Sequence, residues 1–415
     1  MPQLSLTIPA HRNHGLFADH YLDHVLPARG EWMRLEESAG AALAEISRIF
    51  AAFVPSSDEQ QTERDLVRPI LDALGHTYEV QGRLRVPGRF HKPDYVFYRD
   101  VEAKNANRNA VLEKTLPEQG GLAVGDAKYW GRSLDRTLNT GYADDNRNPS
   151  FQIYWYMLHS GVQWGVLTNG QLWRLVHRES ADRLDIYYEV DLQELVQAGD
   201  LLRFRYFYAF FRRAAFDPGP LGLAELLLAS TDYAHGVGAG LKSQVYDALR
   251  HVAQGFLDYP PNGLQPAAET LKTVYDNALI LLYRLIFILY AEARELLPIR
   301  ENEQYRDTYS LQAIKHDIAR TINAGRRLLP SSSRIWPQLK DLFGFIDRGE
   351  PPLKIATFNG GLFDPKKHPF LEQYVVGDHH LQQAIDKLAR INGEYIDYRD
   401  LAVRHMGTIY EGLLV

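Results

Sequence analysis

The sequence predicts an α/β domain built on a mixed central sheet, followed by a mainly α-helical domain. Short runs of aromatic and β-branched residues bounded by glycine, His91–Tyr98 and Gly121–Trp130, read as strands. Asn169-Gly170 between two apolar runs marks a hairpin. Beyond Phe216-Asp217-Pro218-Gly219-Pro220, a clear breaker, apolar residues recur at helical spacing in one segment after another.

Residues 1–55 form a leader with a helix over 36–54 that packs on the α/β domain. That domain spans residues 56–215. Ser57-Asp58-Glu59-Gln60 has the form of a capping box, and Leu66, Val67, Ile70, Leu71 and Leu74 continue on one helical face up to Gly75. Glu63 stands three before Leu66, four before Val67 and seven before Ile70, so it lies on that apolar face and points towards the sheet. Pro69 should kink the helix near Arg68. The two strands come next, with 103–119 read as an exposed excursion between them. Asn148-Pro149-Ser150 opens a short helix on which Gln152 and Tyr156 share a face. Residues 163–168 and 171–176 flank the hairpin turn, and 184–190 supply a further strand. Residues 221–415 form the helical domain, with helices over 221–228, 241–256, 269–297, 311–328 and 335–346.

Asp94 follows Pro93, and Asp126-Ala127-Lys128 closes an apolar run thirty-two positions later. Two aspartates brought together from adjacent strands can hold Mg²⁺, and a lysine on the same strand face can steady the water that attacks phosphorus. Glu63 is a third carboxylate within reach.

These elements in this order resemble the PD-(D/E)xK nuclease superfamily, in the form found at the N-terminus of type IIG restriction-modification enzymes. The matching elements are Glu63, Pro93-Asp94, Asp126-Ala127-Lys128 and the helix of Gln152 and Tyr156 before a strand ending in Thr168-Asn169-Gly170, together covering 57–192. The resemblance implies a restriction-endonuclease-like fold, with Asp94 and Asp126 binding Mg²⁺ or Mn²⁺, Lys128 assisting the nucleophile, and Glu63 and Gln152 supporting the site. It implies hydrolysis of double-stranded DNA as the activity. Further on, 277–294, 358–363 and 405–414 look like the helical connector of those enzymes. There the connector leads into an adenine-N6 methyltransferase, the domain that would bring S-adenosylmethionine and that this chain does not contain. A fragment, or a subunit whose methyltransferase or recognition domain is a separate partner, is the expectation.

Composition agrees. A chain of 415 residues with 45% hydrophobic content buries two or three cores. Zero cysteines excludes disulfides and thiolate metal sites, which fits a cytoplasmic protein. The first thirty residues carry His11, Arg12, Asp19 and Asp23 and show no signal peptide. The apolar stretch 278–291 contains Arg284 and is too short to span a bilayer, so no membrane is expected as a partner. A net charge of −6 opposes strong phosphate binding overall. Locally, Arg83, Arg85, Arg89, His91 and Lys92 precede the acidic centre and Arg132 and Arg136 come after it, giving a basic rim for DNA.

Other readings stay open at this point. Glu102-Ala103-Lys104 offers a second E-x-K nearer to Asp94. Asn148-Pro149-Ser150-Phe151 resembles a methyltransferase tetrapeptide but reads better as a helix cap, and 236–243 resembles a phosphate loop but reads better as a flexible connector. His159, His177 and the pair His379-His380 lack ligand spacing. A non-catalytic recognition or assembly subunit of a methyltransferase system is the alternative function, and RNA remains an alternative substrate.

Overall fold

The computed structural model describes residues 9–136, 148–180, 183–326, 328–358, 360–391 and 393–401. Asn359 and the 405–414 segment that resembles part of a connector lie outside them. The chain divides into two compact units, Met1–Asp232 and Tyr233–Val415.

The strands of the first unit are β1 (Arg12–Asn13), β2 (Thr77–Val80), β3 (Arg83–Val86), β4 (Arg89–His91), β5 (Tyr95–Tyr98), β6 (Val111–Leu112), β7 (Gly121–Ala127), β8 (Trp164–Thr168), β9 (Leu172–His177) and β10 (Tyr188–Asp191). Its helices are α1 (Gly30–Met33), α2 (Glu36–Ala52), α3 (Glu59–Thr62), α4 (Arg68–Ala73), α5 (Val101–Ala106), α6 (Pro149–Ser160), α7 (Leu192–Ala198) and α8 (Leu201–Phe211). Seven strands form a mixed sheet in the order β1-β10-β9-β8-β7-β5-β2. β7 and β8 pair in parallel and the other neighbours antiparallel. A parallel pair needs a crossover, and α6 supplies it, packing Ile153 and Met157 over Val124 and Leu167. A small second sheet, β4-β3-β6, stands beside it.

Several elements differ from the sequence-based expectation. His91–Tyr98 is two strands in different sheets, because Pro93 lacks the N–H that a continuous ladder needs. The 103–119 excursion is structured: α5 is capped by Asp100, β6 pairs with β3, and Leu112 and Leu116 are buried. The last sheet strand begins only at Tyr188. The leader belongs to the first unit, with β1 paired to β10 and α2 packed on α8. Asp58, rather than Ser57, caps α3, accepting from Gln61 N–H at 3.2 Å. Just before Pro69 the helix passes through a π-wound segment, Glu63–Val67, between α3 and α4. Arg68 N–H reaches back to Glu63 O, so the wider turn comes just before the residue that has no N–H to give.

The boundary between the units falls within α9 (Leu223–Asp258), well past the 216–220 breaker, so the second unit begins inside a helix rather than at 221. The 236–243 stretch is not a connector, because this 36-residue helix runs through it. Gly240 sits close against Ile391, where a Cβ would approach to 2.9 Å. Contact of that kind, with Leu241, Val245 and Ala248 buried beside it, outweighs the roughly 1 kcal/mol helix penalty of a glycine. The second unit also contains α10 (Ala268–Ala293), α11 (Leu311–Asn323), α12 (Ile335–Arg348), α13 (Pro369–Gln373) and α14 (Asp378–Ala389), gathered around one apolar core. At 26 residues α10 is long and apolar enough to cross a membrane, contrary to the shorter stretch read from sequence, and 61% of its apolar window is buried within the protein.

Candidate active site

Asp94 and Asp126 meet because β5 and β7 run antiparallel. Tyr95 pairs with Gly125, and carrying that register one residue back sets Asp94 across from Asp126. A Cβ on Gly125 would come within 2.8 Å of the Phe97 ring, so the close approach of these strands depends on the glycine. Ala127 N–H donates to Asp94 Oδ2 at 2.8 Å and pins that carboxylate to the end of β7. Asp126 and Lys128 share one face, and Lys128 Nζ forms an ion pair with Asp126 Oδ2 at 2.6 Å. Lys128 N–H donates to Thr168 O at 2.8 Å, extending the ladder with β8 one residue past the strand and holding the lysine in register.

Glu63 comes from the first turn of the π segment and is buried. Its Oε2 accepts from Tyr95 Oη at 2.9 Å and from Arg68 Nη2 at 3.1 Å. Glu59, one helical turn earlier, joins it: carboxylate oxygens of Glu59, Glu63 and Asp94 lie within 4.8 Å of one another. Glu59 went unnoticed in the sequence because it was absorbed into the capping box, although its four-residue spacing from Glu63 was a usable signal. Tyr95 and Arg68, which hold Glu63 in place, were also missed. Tyr95 is the residue next to Asp94, and Arg68 comes five after Glu63, the spacing of the π turn.

The electrostatics are those of crowded acids. Burial, and then the Asp126 carboxylate, push the Asp94 carboxyl well above the usual carboxylate range. Burial alone would lower the Lys128 ammonium, but the charges of Asp126, Glu59 and Asp94 override it and raise its pKa, so this lysine stays protonated at neutral pH. Burial and the Asp126 charge likewise raise Tyr156, whose hydroxyl remains neutral. Glu59, Asp94 and Asp126 therefore act on Lys128, while the acids close enough to share an ion are Glu59, Glu63 and Asp94; Asp126, expected as a metal ligand, lies outside that group and is paired with Lys128, as Glu63 is with Arg68. The oxygens of Glu59, Glu63 and Asp94 are hard donors that could hold a divalent cation such as Mg²⁺ or Mn²⁺.

Gln152 Nε2 donates to Tyr156 Oη at 2.7 Å. Both side chains line a cleft of about 280 Å³ with Arg89, Phe90, His91, Lys92 and Trp155. Arg83 stacks over the exposed Phe90 ring at 4.7 Å. The rest of the expected basic rim divides. Arg85 is paired with Glu113 at 3.1 Å, and Arg136 is exposed. Arg132 is not part of a rim: it is buried and donates to the carbonyls of Ser133 and Arg136 at 3.0 and 2.7 Å, closing the turn after β7.

The competing motifs fall elsewhere. Glu102-Ala103-Lys104 lies on α5, where Ala103 packs inward and Glu102 faces solvent, so it is not the strand-borne half of the site. Asn148 caps α6, accepting from Ser150 N–H at 2.9 Å. Beneath that cap, buried Arg174 binds Ser150 Oγ at 2.8 Å and Glu189 Oε2 at 2.6 Å, fixing the helix that carries Gln152 and Tyr156 to the sheet. Among the described residues no histidine joins a group able to hold a metal. No protein-family model, curated protein or solved structure matches the chain.

Proposed function

We propose that this chain is a metal-dependent DNA endonuclease whose first unit has a restriction-endonuclease-like fold. The observation that carries the proposal is the cluster of Glu59, Glu63 and Asp94 beside the Asp126–Lys128 pair at the end of β7, next to a cleft lined by basic and aromatic side chains. Mg²⁺, or Mn²⁺ in its place, would be held by these carboxylates, and its fit rests on their crowding, which leaves Asp94 hard to ionise without a further cation. Such an ion supplies Lewis-acid stabilisation of charge on the phosphoryl group and on the departing 3′ oxygen.

The chain's own residues do the rest. Lys128 would orient the attacking water and offset charge growing on the phosphorane. Tyr95 and Arg68 fix the direction of Glu63, as the Ala127 amide fixes Asp94. Gln152 and Tyr156 present polar groups at the mouth of the cleft. Arg83, Arg89 and Lys92 lie along the path a phosphate backbone would take into the site. The likeness of the helical segments to a type IIG connector makes a methyltransferase domain or subunit the partner to seek.

The test is nicking of supercoiled plasmid, methylated and unmethylated, by wild type and Asp126→Ala, with Mg²⁺ or chelator. Metal-dependent nicking lost in a folded mutant supports the proposal. Equal nicking by the mutant places the chemistry elsewhere. A folded wild type that never nicks, but retains a methyltransferase in a pull-down, would favour the assembly role instead.

A further inference from the structure

The second unit buries a cation that makes no direct ion pair among the described residues, with Asp341 and Glu372 on the walls of the cavity beside it. Arg284, in the middle of α10, is 2% exposed. Its Nε donates to Leu362 O at 2.8 Å, and its guanidinium lies over Phe343 and Phe363 at 5.0 and 5.7 Å from the ring centroids. Its Nη2 is buried with no acceptor. A buried guanidinium in contact with no carboxylate is costly, since its charge is only partly compensated and its Nη2 makes no hydrogen bond among the described residues. The burial brings its pKa down to about 10, against the smaller opposing pull of Glu372 and Asp347.

This guanidinium forms part of the wall of a cavity of about 230 Å³. Facing it, α12 places Lys340, Gly344 and Arg348 on one stripe at four-residue spacing. Gly344 makes room: a Cβ there would meet Arg348 Nη2 at 3.1 Å. Lys340 is bonded to Glu372 at 2.6 Å on the same wall. Trp336, Phe345 and Phe363 supply apolar surface around these charges.

We propose that this cavity binds the phosphate group of a small molecule. An oxyanion would bring the charge that Arg284 lacks, and guanidinium groups such as those of Arg284 and Arg348 bind phosphate oxygens strongly. The volume lies just below the roughly 300–1,000 Å³ of pockets for drug-sized ligands, which suits a compact ligand. The aromatic wall would take an attached organic group. This site is independent of the nuclease reading.

The experiment is calorimetric titration and thermal unfolding of the full chain with inorganic phosphate and with adenosine monophosphate, against chloride at matched ionic strength. Wild type should bind, with affinity about tenfold weaker in Arg348→Ala and lost in Arg284→Gln. Tighter binding of the nucleotide than of phosphate assigns the aromatic wall to its organic part, and equal binding assigns recognition to the phosphate alone. Either supports the proposal. No binding by wild type, or unchanged affinity in a folded Arg284→Gln, overturns it. Should Arg284→Gln fail to fold, unchanged affinity in both Arg348→Ala and Lys340→Ala overturns it equally.

Discussion

In the helical unit, Asp378 is fully buried and accepts from Ser332 Oγ, Arg334 N–H and Ile335 N–H at 2.8, 2.7 and 2.9 Å. Glu292 accepts from Tyr305 Oη, Leu311 N–H and Gln312 N–H at 2.8, 2.7 and 2.8 Å. Each acid sits at the start of a helix, where unpaired amides and the helix dipole favour a negative charge. In the sheet unit, Asp94 has one amide and another carboxylate as its neighbours, and Asp126 has Lys128. Asp378 and Glu292 are satisfied by donors, whereas Asp94 and Asp126 are set against each other. The first arrangement serves the fold. The second holds like charges together at a cost that a stabilising role would not require, which is the reason for proposing chemistry there.

The comparison predicts opposite outcomes for removing an acid. Asp94→Asn should lower metal-dependent nicking about a thousandfold, because several kcal/mol of transition-state stabilisation goes with a metal ligand. The same change should leave the melting temperature level or higher, since it relieves repulsion from Asp126. A melting temperature lowered by about ten degrees would mean that Asp94 is structural after all. Asp378→Ala should do the reverse, costing about 3 kcal/mol in urea unfolding by orphaning the first amides of α12, with nicking by the folded protein unchanged.

The units should also respond to acid with opposite sign. Burial raises the Glu292 carboxyl from 4.5 to about 7, so the folded state holds this proton more tightly. That contribution is full below pH 4.5 and is lost as pH rises to about 7, about 3 kcal/mol in all. His76, in the sheet unit, is pushed down by burial from 6.5 to about 4; its Nε2 contacts Phe211 O at 2.7 Å and its Nδ1 has no partner. Its contribution is full above pH 6.5 and falls by about 3 kcal/mol as pH drops to about 4. Urea midpoints between pH 4.5 and 7 should flatten in opposite directions in Glu292→Gln and His76→Gln, and parallel changes would break the contrast. The smallest effect belongs to Glu59→Gln, about tenfold on nicking with stability unchanged, because Glu59 lies at the partly exposed edge of the cluster.

Much of this was legible in the chain itself. Asp126 and Lys128 share a face because strands have a period of two, and Glu63 follows the apolar period of its helix. What was hidden depended on long-range pairing or on a local break in the period. Pro93 splits His91–Tyr98 between two sheets, and no local pattern reveals that β4 belongs with β3. The helices read over 221–228 and 241–256 are one, α9, and the join was masked by glycines such as Gly240, whose use appears only in its contact with Ile391. Arg132 looked like a surface cation because its carbonyl partners lie within its own turn.

The π-wound turn at Glu63–Val67 carries one residue more than an α-helix of the same rise would need. Deleting one residue there would restore a regular helix and swing everything before it by about 100° around the axis. The packing made by Ile70 and Leu71 would survive, while Glu59 and Glu63 would turn away from Asp94 together. One codon thus separates a chain that can gather its carboxylates from one that folds without them.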